Sequence, residues 1–559
     1  MTGAKDRMPS QTVDDVAFDP VAIEVARHKL EGIAEEMQQT LLRSSFSPIA
    51  KEGLDASACL FTAEGETLAQ SRSIPIHLGT LIPVMKQIIE TFPAHEMREG
   101  DAYILNEPYQ GGTHLPDIAI VTPVYAGGRI IAYAATMMHH QDVGGLSPGS
   151  VPTNATEIFQ EGLRIPPLLL FHDGKFNETL IAIIRKNVRI PETSIGDLNA
   201  QLAACKVGVR RLKEMASVGE NQMISIFAEL LRRSEKLTRA ALARIPDGTY
   251  HYTDYNDNDG IDLDKPIRFT VAVTIKDGTF HCDFTGSSPQ VRGPFNCVPS
   301  GTLAAACYAI RAVTDPDTMT NAGCFRPISL HLPEGSIVNP TEPAPVNART
   351  ATIKRIAGVI LGALRQALPE KIPADDCGEM LALMFGGKWP GGKTFVIGEL
   401  IGGGSGASTR SDGVDVIETD VTNCMNLPAE SMEMEAPIRV HQIALRQGSG
   451  GDGEYRGGLG LIKEYEVLAD EVRVTHRGER HYFEPRGANG GAAGAKAESV
   501  IYRGSGEEIT IPSKLMETLK KGDRLVITTA GGGGNGDPAD RAKTSRETDQ
   551  RDGKVAVSH

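Results

Sequence analysis

The sequence is poor in aromatic residues and has no paired cysteines. It contains 1 tryptophan, and aromatic residues make up 5% of the chain. Its 8 cysteines lie at positions 59, 205, 282, 297, 307, 324, 377 and 424, and no two of them form a Cys-x-x-Cys pair. This spacing excludes a zinc ribbon and the dense disulfide framework of a small secreted domain.

Long apolar runs and basic clusters are also missing. No run of about eighteen apolar residues occurs, so no membrane-spanning segment is predicted. The first residues, "MTGAKDRMPSQTVDD", lack the apolar core of a signal peptide. The net charge is -14, which argues against nucleic acids and anionic membranes as partners. We therefore expect a cytoplasmic protein.

Glycine, in contrast, is abundant, with 60 among the 559 residues. Glycine serves where the backbone takes a positive φ or approaches another group closely. Many of these glycines stand beside acidic residues and histidines, which predicts functional loops, although β-turns alone account for the same pattern. The length exceeds the usual limit of one hydrophobic core, so about two to four domains are expected.

Hydrophobic periodicity predicts both helices and strands. A helical repeat runs over 20–43 and 192–245, and further helices are expected over 301–314 and 350–367. Strand-like runs include "DAYILNEPY", "IAIVTPVY" and "RIIAYAATMMHH", and an Asp-Gly turn at 277–278 predicts a hairpin.

These elements predict an α+β or mixed α/β multidomain protein. We expect an N-terminal α+β unit that holds the candidate site, a central mixed unit and a β-rich C-terminal unit. Polar composition predicts mobile tails at both ends. The predicted bounds are 1–17 for the first tail, 18–245, 246–435 and 436–538 for the three units, and 539–559 for the second tail.

Histidine and aspartate are concentrated in one segment of the N-terminal unit. Three of the 14 histidines and two aspartates lie within residues 114–142. "GGTHLPD" separates His114 from Asp117 by a proline, so the two side chains are expected to converge from a turn that enters a strand. "MMHHQDVGG" places His139, His140 and Asp142 at the end of an apolar run, beside a glycine turn.

Two interpretations fit this cluster. Imidazole and carboxylate ligands suit Zn²⁺, Mn²⁺ or Fe²⁺, and a catalytic site leaves one coordination position open for water or substrate. In the alternative, the histidines only bond to turns and the aspartates cap strands or helices. The residue pattern alone leaves both interpretations open.

Ordered motifs over residues 18–540 resemble the hydantoinase B family, the B-type subunits of ATP-dependent hydantoinases and oxoprolinases, which are related to the α subunits of acetone and acetophenone carboxylases. The motifs are "SSFSPIAKEGLDASACLFTAEGETLAQ", "IPIHLGTL", "NEPYQGGTHLPDIAIVTPV", "HHQDVGG", "IRKNVRIPETSIGDLNAQLAAC", "CDFTGSSPQVRGPFN", "NAGCFRPISLHLPEGSIVNP", "SGGDGEYRGGLG" and "GDRLVITTAGGGGNGDP".

The resemblance implies a divalent metal site formed by His114, Asp117 and His139, with Asp55 of "KEGLDAS" as a further ligand. Gly53 departs from the family pattern, in which arginine is common at this place. Three further residues are candidates for orienting the ligands or transferring protons: His140, Asp142 and His77 of "IPIHLGTL". For His77, a ring satisfied by its own turn is the alternative.

The resemblance also implies the reaction and a partner. Family members hydrolyse hydantoin, 5-oxoproline or a related lactam after ATP phosphorylates the amide oxygen, and ATP binds mainly to an A-type partner subunit in a hetero-oligomer. The "GGGGNGDP" segment at 531–538 fits a phosphate-binding loop or an ordinary glycine-rich turn, and such clusters favour the turn.

Two rival functions stay open at this point. One is a subunit of an ATP-dependent ketone carboxylase, which the chain length disfavours. The other is a scaffold without chemistry that stabilises the A-type partner, which the clustered histidines and aspartates disfavour because unpaired polar groups are costly in a core.

Overall fold

The computed structural model describes residues 19–77, 79–217 and 219–555. Within these ranges no helix is long and apolar enough to cross a membrane. The helices are α1 (Pro20–Ser44), α2 (Pro48–Lys51), α3 (Leu81–Thr91), α4 (Glu178–Asn187), α5 (Pro191–Ala216), α6 (Glu220–Leu242), α7 (Pro299–Val313), α8 (Ala322–Phe325), α9 (Arg349–Arg365), α10 (Ala429–Glu435) and α11 (Lys543–Arg551).

The N-terminal part is an antiparallel sheet of seven strands in the order β2-β1-β5-β4-β3-β6-β7. The apolar face of α1, predicted from its helical repeat, packs with α5 on one side of this sheet, and α3 covers the other. The strands are β1 (Ala56–Thr62), β2 (Thr67–Gln70), β3 (Ala102–Leu105), β4 (Asp117–Ala126), β5 (Arg129–His139), β6 (Leu168–His172) and β7 (Lys175–Phe176).

The central part is a four-stranded sheet in the order β11-β10-β9-β8, covered by α7 and α9. The predicted hairpin is present, because Asp277 and Gly278 join β9 to β10 with φ values of 48° and 69°. The strands are β8 (Gly248–Asn256), β9 (Ile267–Lys276), β10 (Thr279–Asp283) and β11 (Ile328–His331).

Two further sheets complete the described chain, in the orders β13-β12-β16-β19 and β14-β15-β20-β17-β18. Their inner faces share one apolar core. The strands are β12 (Leu381–Lys388), β13 (Thr394–Ile401), β14 (Ile438–Leu445), β15 (Leu461–Val467), β16 (Glu471–Arg477), β17 (Glu498–Tyr502), β18 (Glu508–Thr510), β19 (Lys514–Lys520) and β20 (Arg524–Thr528).

The architecture confirms the predicted mixed α/β class. The predicted boundary at 435/436, however, separates β12 and β13 from β16 and β19, which share one sheet. The first predicted tail, 1–17, lies outside the described residues. In the second, residues 543–551 form α11, and Arg541 bonds to Asp412 and Asp549, so ion pairs hold a segment that polarity alone predicted to be loose.

Candidate metal centre

Three of the predicted ligands lie at neighbouring strand ends in the first sheet. Asp117 begins β4 and is the register partner of His139, which ends β5. Asp55 immediately precedes β1, on the other side of β5, and its carbonyl accepts the backbone N–H of His139 at 3.1 Å. The pairing β1-β5-β4 therefore brings together residues that are 84 positions apart in sequence.

His114 reaches the same point from the turn before β4. Its Nε2 lies 3.1 Å from Oδ1 of Asp117, as the His-x-x-Asp spacing predicted. The rings of His114 and His139 meet edge to face with centroids 5.1 Å apart. Nδ1 of His114 lies 3.1 Å from the carbonyl of Asn347, which fixes the ring and directs Nε2 toward the carboxylate.

His77 joins the group from a short helical turn, Pro75–His77. Its Nδ1 lies 3.0 Å from the hydroxyl of Ser57. Its Nε2 lies 3.8 Å from Oδ1 of Asp55 and 3.9 Å from Oδ2 of Asp117. Ser57 of β1, and not the turn, thus satisfies one ring nitrogen, and the other faces both carboxylates.

Two arginines that the sequence did not point to complete the site. Arg349, the first residue of α9, donates to Oδ2 of Asp117, and Arg477, the last residue of β16, donates to the carbonyl of Asn347 at 3.3 Å. No periodicity or motif links these positions to the histidines, since they follow Asp117 by more than two hundred residues. Only the packing of α9 and β16 against the first sheet reveals them.

These side chains enclose a cavity of about 20 Å³ that also touches Met380, Met384 and Leu400. Its size admits about one water-sized particle. Among the described residues, several buried polar atoms of this wall have no hydrogen-bond partner; they are Nε2 of His77, Nε2 of His114, Oδ1 of Asp117, Nδ1 of His139, Nε and Nη1 of Arg349, and Nε of Arg477. Buried polar groups are normally satisfied, so this concentration points to a ligand.

Burial sets the charge of the site. It raises the pKa of Asp55 to about 8, with the neighbouring Asp117 adding to the effect. Burial also lowers the pKa of His77 to about 4 and lowers the pKa values of His114 and His139. For Asp117, burial is outweighed by His114 and Arg349, which hold the pKa of its carboxyl well below the usual range. Near neutral pH the imidazoles are therefore uncharged and able to bind a cation.

His140 and Asp142, the other predicted participants, do not line the cavity. Alternation along β5 turns His140 to the opposite side, where its Nε2 lies 3.0 Å from Oε1 of Gln201. Asp142 accepts the backbone N–H groups of Gly144 and Gly149, each at 3.0 Å, and bonds to Arg189. Neither side chain therefore reaches the cavity directly, and the loop bonds of Asp142 match the structural alternative. A role of these residues in orienting the ligands stays a prediction.

Neutral imidazole nitrogens and the oxygens of two aspartates are ligand atoms that suit a divalent cation. In the described ranges, no three or more His, Cys, Asp or Glu side chains are already grouped so that one cation can bind them all.

The glycines at 531–534 do not present free N–H groups to phosphate. Gly532, Gly533 and Gly534 donate theirs to the carbonyls of Gly458, Asp375 and Ala492 at 2.8–2.9 Å. A Cβ on Gly532 would lie 1.9 Å from the carbonyl oxygen of Ser405. The segment is therefore a tightly packed turn, as the more favoured of the two interpretations predicted.

Comparison with known proteins agrees with the fold and the motifs. The sequence profile of the family described as Hydantoinase B/oxoprolinase matches residues 19–538. An uncharacterised protein of Methanocaldococcus jannaschii is 37% identical over 97% of this chain and 94% of its own. The caprolactamase subunit beta of Pseudomonas jessenii is 32% identical over 96% of this chain and 94% of its own.

Longer relatives and solved structures extend the comparison. The 5-oxoprolinase of Dictyostelium discoideum is 33% identical over 93% of this chain. The match covers only 40% of that longer protein. The crystal structure of the ATP-dependent caprolactamase from Pseudomonas jessenii superposes with a TM-score of 0.90 at 30% identity, over 97% of this chain and 95% of that one. The structure of nucleotide-free acetone carboxylase superposes with a TM-score of 0.88 at 19% identity, over 96% of this chain and 78% of that one. The two chains share the fold.

Proposed function

This chain belongs to the hydantoinase B/oxoprolinase family, and on that premise we propose that it is the B-type subunit of an ATP-dependent hydrolase of cyclic amides. Amide resonance makes lactam and hydantoin rings poor electrophiles. In the proposal, an A-type partner binds ATP and phosphorylates the amide oxygen, and this chain opens the activated ring. The names of the caprolactamase and 5-oxoprolinase relatives support this class of substrate.

One observation carries the assignment of the site. Four buried ligand atoms without hydrogen-bond partners among the described residues face one cavity: Nε2 of His77, Nε2 of His114, Oδ1 of Asp117 and Nδ1 of His139. Nε2 of His114 and Oδ1 of Asp117 lie 3.1 Å apart, but Nδ1 of the neutral ring donates its proton to the carbonyl of Asn347, so both atoms present lone pairs. A purely structural cluster would satisfy such atoms, because each unpaired buried group costs about 1–3 kcal/mol.

We assign a divalent cation to Asp55, His114, Asp117 and His139. When bound, it would supply Lewis acidity and lower the pKa of a coordinated water. The neighbouring residues support this set. His140 donates its backbone N–H to the carbonyl of Pro116 at 2.8 Å, which holds the turn between two of the ligands. Such outer bonds orient ligands without contact with substrate.

The remaining wall residues supply hydrogen bonds at the reacting carbon. His77 is neutral near pH 7, so its Nε2 can accept a hydrogen bond from the attacking water. Arg349 and Arg477 carry N–H donors that can stabilise the negative charge on the oxygen during ring opening. Water adds to the activated carbon, and the ring C–N bond then breaks, so that the nitrogen leaves as an amine and an acyl phosphate remains. A second water hydrolyses the acyl phosphate to a carboxylate and inorganic phosphate.

Co-expression with an A-type partner tests the function. ATP consumption that depends on a lactam or hydantoin supports the hydrolase. Consumption that requires bicarbonate and a ketone instead supports the carboxylase, and ATP turnover by the partner that is unaffected by His77→Gln and His114→Ala in this chain supports the scaffold. Matched samples with His95→Ala, a change at an exposed histidine, control for general effects of histidine loss.

A further inference from the structure

A second cavity, of about 310 Å³, lies farther along α9 than the metal centre. This volume is at the lower end of the range that small-molecule ligands occupy. Helix α9 contributes Arg349 to the first cavity and Lys354, Arg355 and Gly358 to the second. The end of β16 likewise contributes Arg477 to one, and the segment that follows it contributes Arg480 to the other, so the same part of the chain reaches both cavities.

One side of this cavity carries excess positive charge. Arg355 and Arg480 both bond to Oδ2 of Asp254, and Arg480 does so at 3.0 Å. Arg480 is 2% exposed. Within the described part of the chain, its Nε and Nη1 have no hydrogen-bond partner. The close approach requires Gly378, where a Cβ would lie 2.8 Å from Nε of Arg480.

The other side carries three carboxyl groups around one lysine. Glu418 is 8% exposed and lies 3.6 Å from the ammonium of Lys354 through Oε2, while its Oε1 has no partner among the residues described. Asp376 and Asp420 stand beside it, and burial together with the nearby Asp376 raises the pKa of Asp420 to about 8. Lys354 interacts electrostatically with all three of these carboxyl groups.

Apolar side chains connect the two sides. Tyr308, Leu361, Ile372 and Ile417 line the same cavity as the guanidinium of Arg480 and the carboxyl groups. A ligand that matches this lining needs a carboxylate for the unpartnered guanidinium N–H groups and an ammonium for the unpartnered carboxylate oxygen. It also needs a short hydrocarbon segment between them, because buried charges are retained only where they are paired.

We propose that this cavity binds a small zwitterionic amino acid, the ring-opened product of a lactam. Hydrolysis of a lactam converts a neutral amide into one carboxylate and one ammonium group. Hydantoin hydrolysis instead gives an N-carbamoyl acid, which has a carboxylate but no ammonium. The cavity therefore selects lactams over hydantoins as the substrate class; this step rests on the proposed function, whereas zwitterion binding does not.

Gly358 offers a test that leaves the charged residues intact. It lies in α9 on the cavity wall, and a Cβ added there meets no atom within 4 Å. Gly358→Leu should fill the cavity, and Gly358→Ala is the matched control that adds only a methyl group. Calorimetric titration of the purified chain with 5-aminopentanoate, 6-aminohexanoate and L-glutamate measures binding without ATP or a partner.

The wild type and Gly358→Ala should bind at least one of these zwitterions, and pentanoate or pentylamine should bind about tenfold more weakly or worse. Gly358→Leu and Glu418→Gln should each lose about tenfold or more in affinity while thermal melting stays cooperative. Absence of zwitterion binding by the wild type, or equal binding by Gly358→Leu, overturns the inference. Lactam-dependent ATP turnover without zwitterion binding leaves the proposed function standing, and binding without such turnover leaves the site standing.

Discussion

At the scale of single residues, the protonation state of Asp55 is the feature that experiment can test most directly. Burial keeps the pKa of this carboxyl at about 8, so the metal-free chain holds its proton at pH 7. A cation that binds Asp55 must displace that proton. The carboxyl is therefore a pH-dependent part of a site whose imidazoles are already neutral.

We predict that cation affinity rises with pH, by up to about tenfold per unit between pH 6.5 and 8, and levels off above 8. The sign follows because the proton competes with the cation only below the raised pKa. Titration with Mn²⁺ in buffers of different ionisation enthalpy measures the proton released. Asp55→Asn should bind more weakly and release no such proton; a pH-independent affinity in the wild type contradicts this view of Asp55.

Asp142 gives the opposite expectation, because its bonds are structural. It accepts from Gly144, Gly149 and Arg189, and its side chain is fully buried. We predict that Asp142→Asn lowers the free energy of unfolding by about 3 kcal/mol, since the new amide group faces donors in a buried ion pair. Urea unfolding measures this, with the exposed Asp173→Asn as control. Unchanged stability with lost activity would instead assign Asp142 to the chemistry.

The sequence made part of the site predictable. The turn at His114–Asp117 and the strand ending at His139 follow from local spacing, and both lie where the periodicity put them. Arg349 and Arg477 could not be predicted, because their role depends on which face of α9 and β16 meets the first sheet. The direction of the His140 side chain could not be predicted either. It follows His139 directly, and successive side chains of an extended chain point to opposite sides.

At the scale of elements, the glycine segments of the C-terminal sheets act as close-packed connections. Gly404, Gly458 and Gly532 approach one another so closely that a Cβ on any of them would lie within 2.0 Å of a backbone atom. The backbone N–H groups of the segment are used in bonds to carbonyls of these neighbours. Glycine is needed here for space and not for phosphate binding.

We predict that Gly532→Ala destabilises the chain by at least about 3 kcal/mol, because the clash is with backbone that cannot move aside. The control is Gly358→Ala on α9, where the methyl group meets nothing and helix propensity should stabilise by about 0.5–1 kcal/mol. Chemical denaturation of both variants measures the difference. Equal stability of the two would contradict the close packing of the glycine segment.

Helices and hairpins were predictable, whereas the sheets were not. The repeat over 20–43 and the Asp-Gly turn at 277–278 report local geometry, and both predictions are confirmed. The pairing of β12 with β16 joins strands more than eighty residues apart, and no local pattern encodes it. The division of the chain into three units stays a prediction for this reason.

At the scale of the whole molecule, two cavities share α9 and the segment that follows β16. The first cavity holds the imidazoles without hydrogen-bond partners, to which we assign the cation and the reaction. The second holds the unpartnered atoms of Arg480 and Glu418, to which we assign a charged product. Both depend on contacts between the first sheet, the central sheet and the C-terminal sheets. In the proposed function, an A-type partner supplies the activated substrate.

The central claim is that His114, Asp117 and His139, with Asp55, hold one divalent cation. Metal analysis after loading with Mn²⁺ or Zn²⁺ and exhaustive dialysis tests it most directly. The account predicts about one ion per chain in the wild type and in His95→Ala, and little in His114→Ala, with cooperative melting retained in all three. A wild type that retains no ion after loading, or a His114→Ala variant that retains a full equivalent, would contradict it.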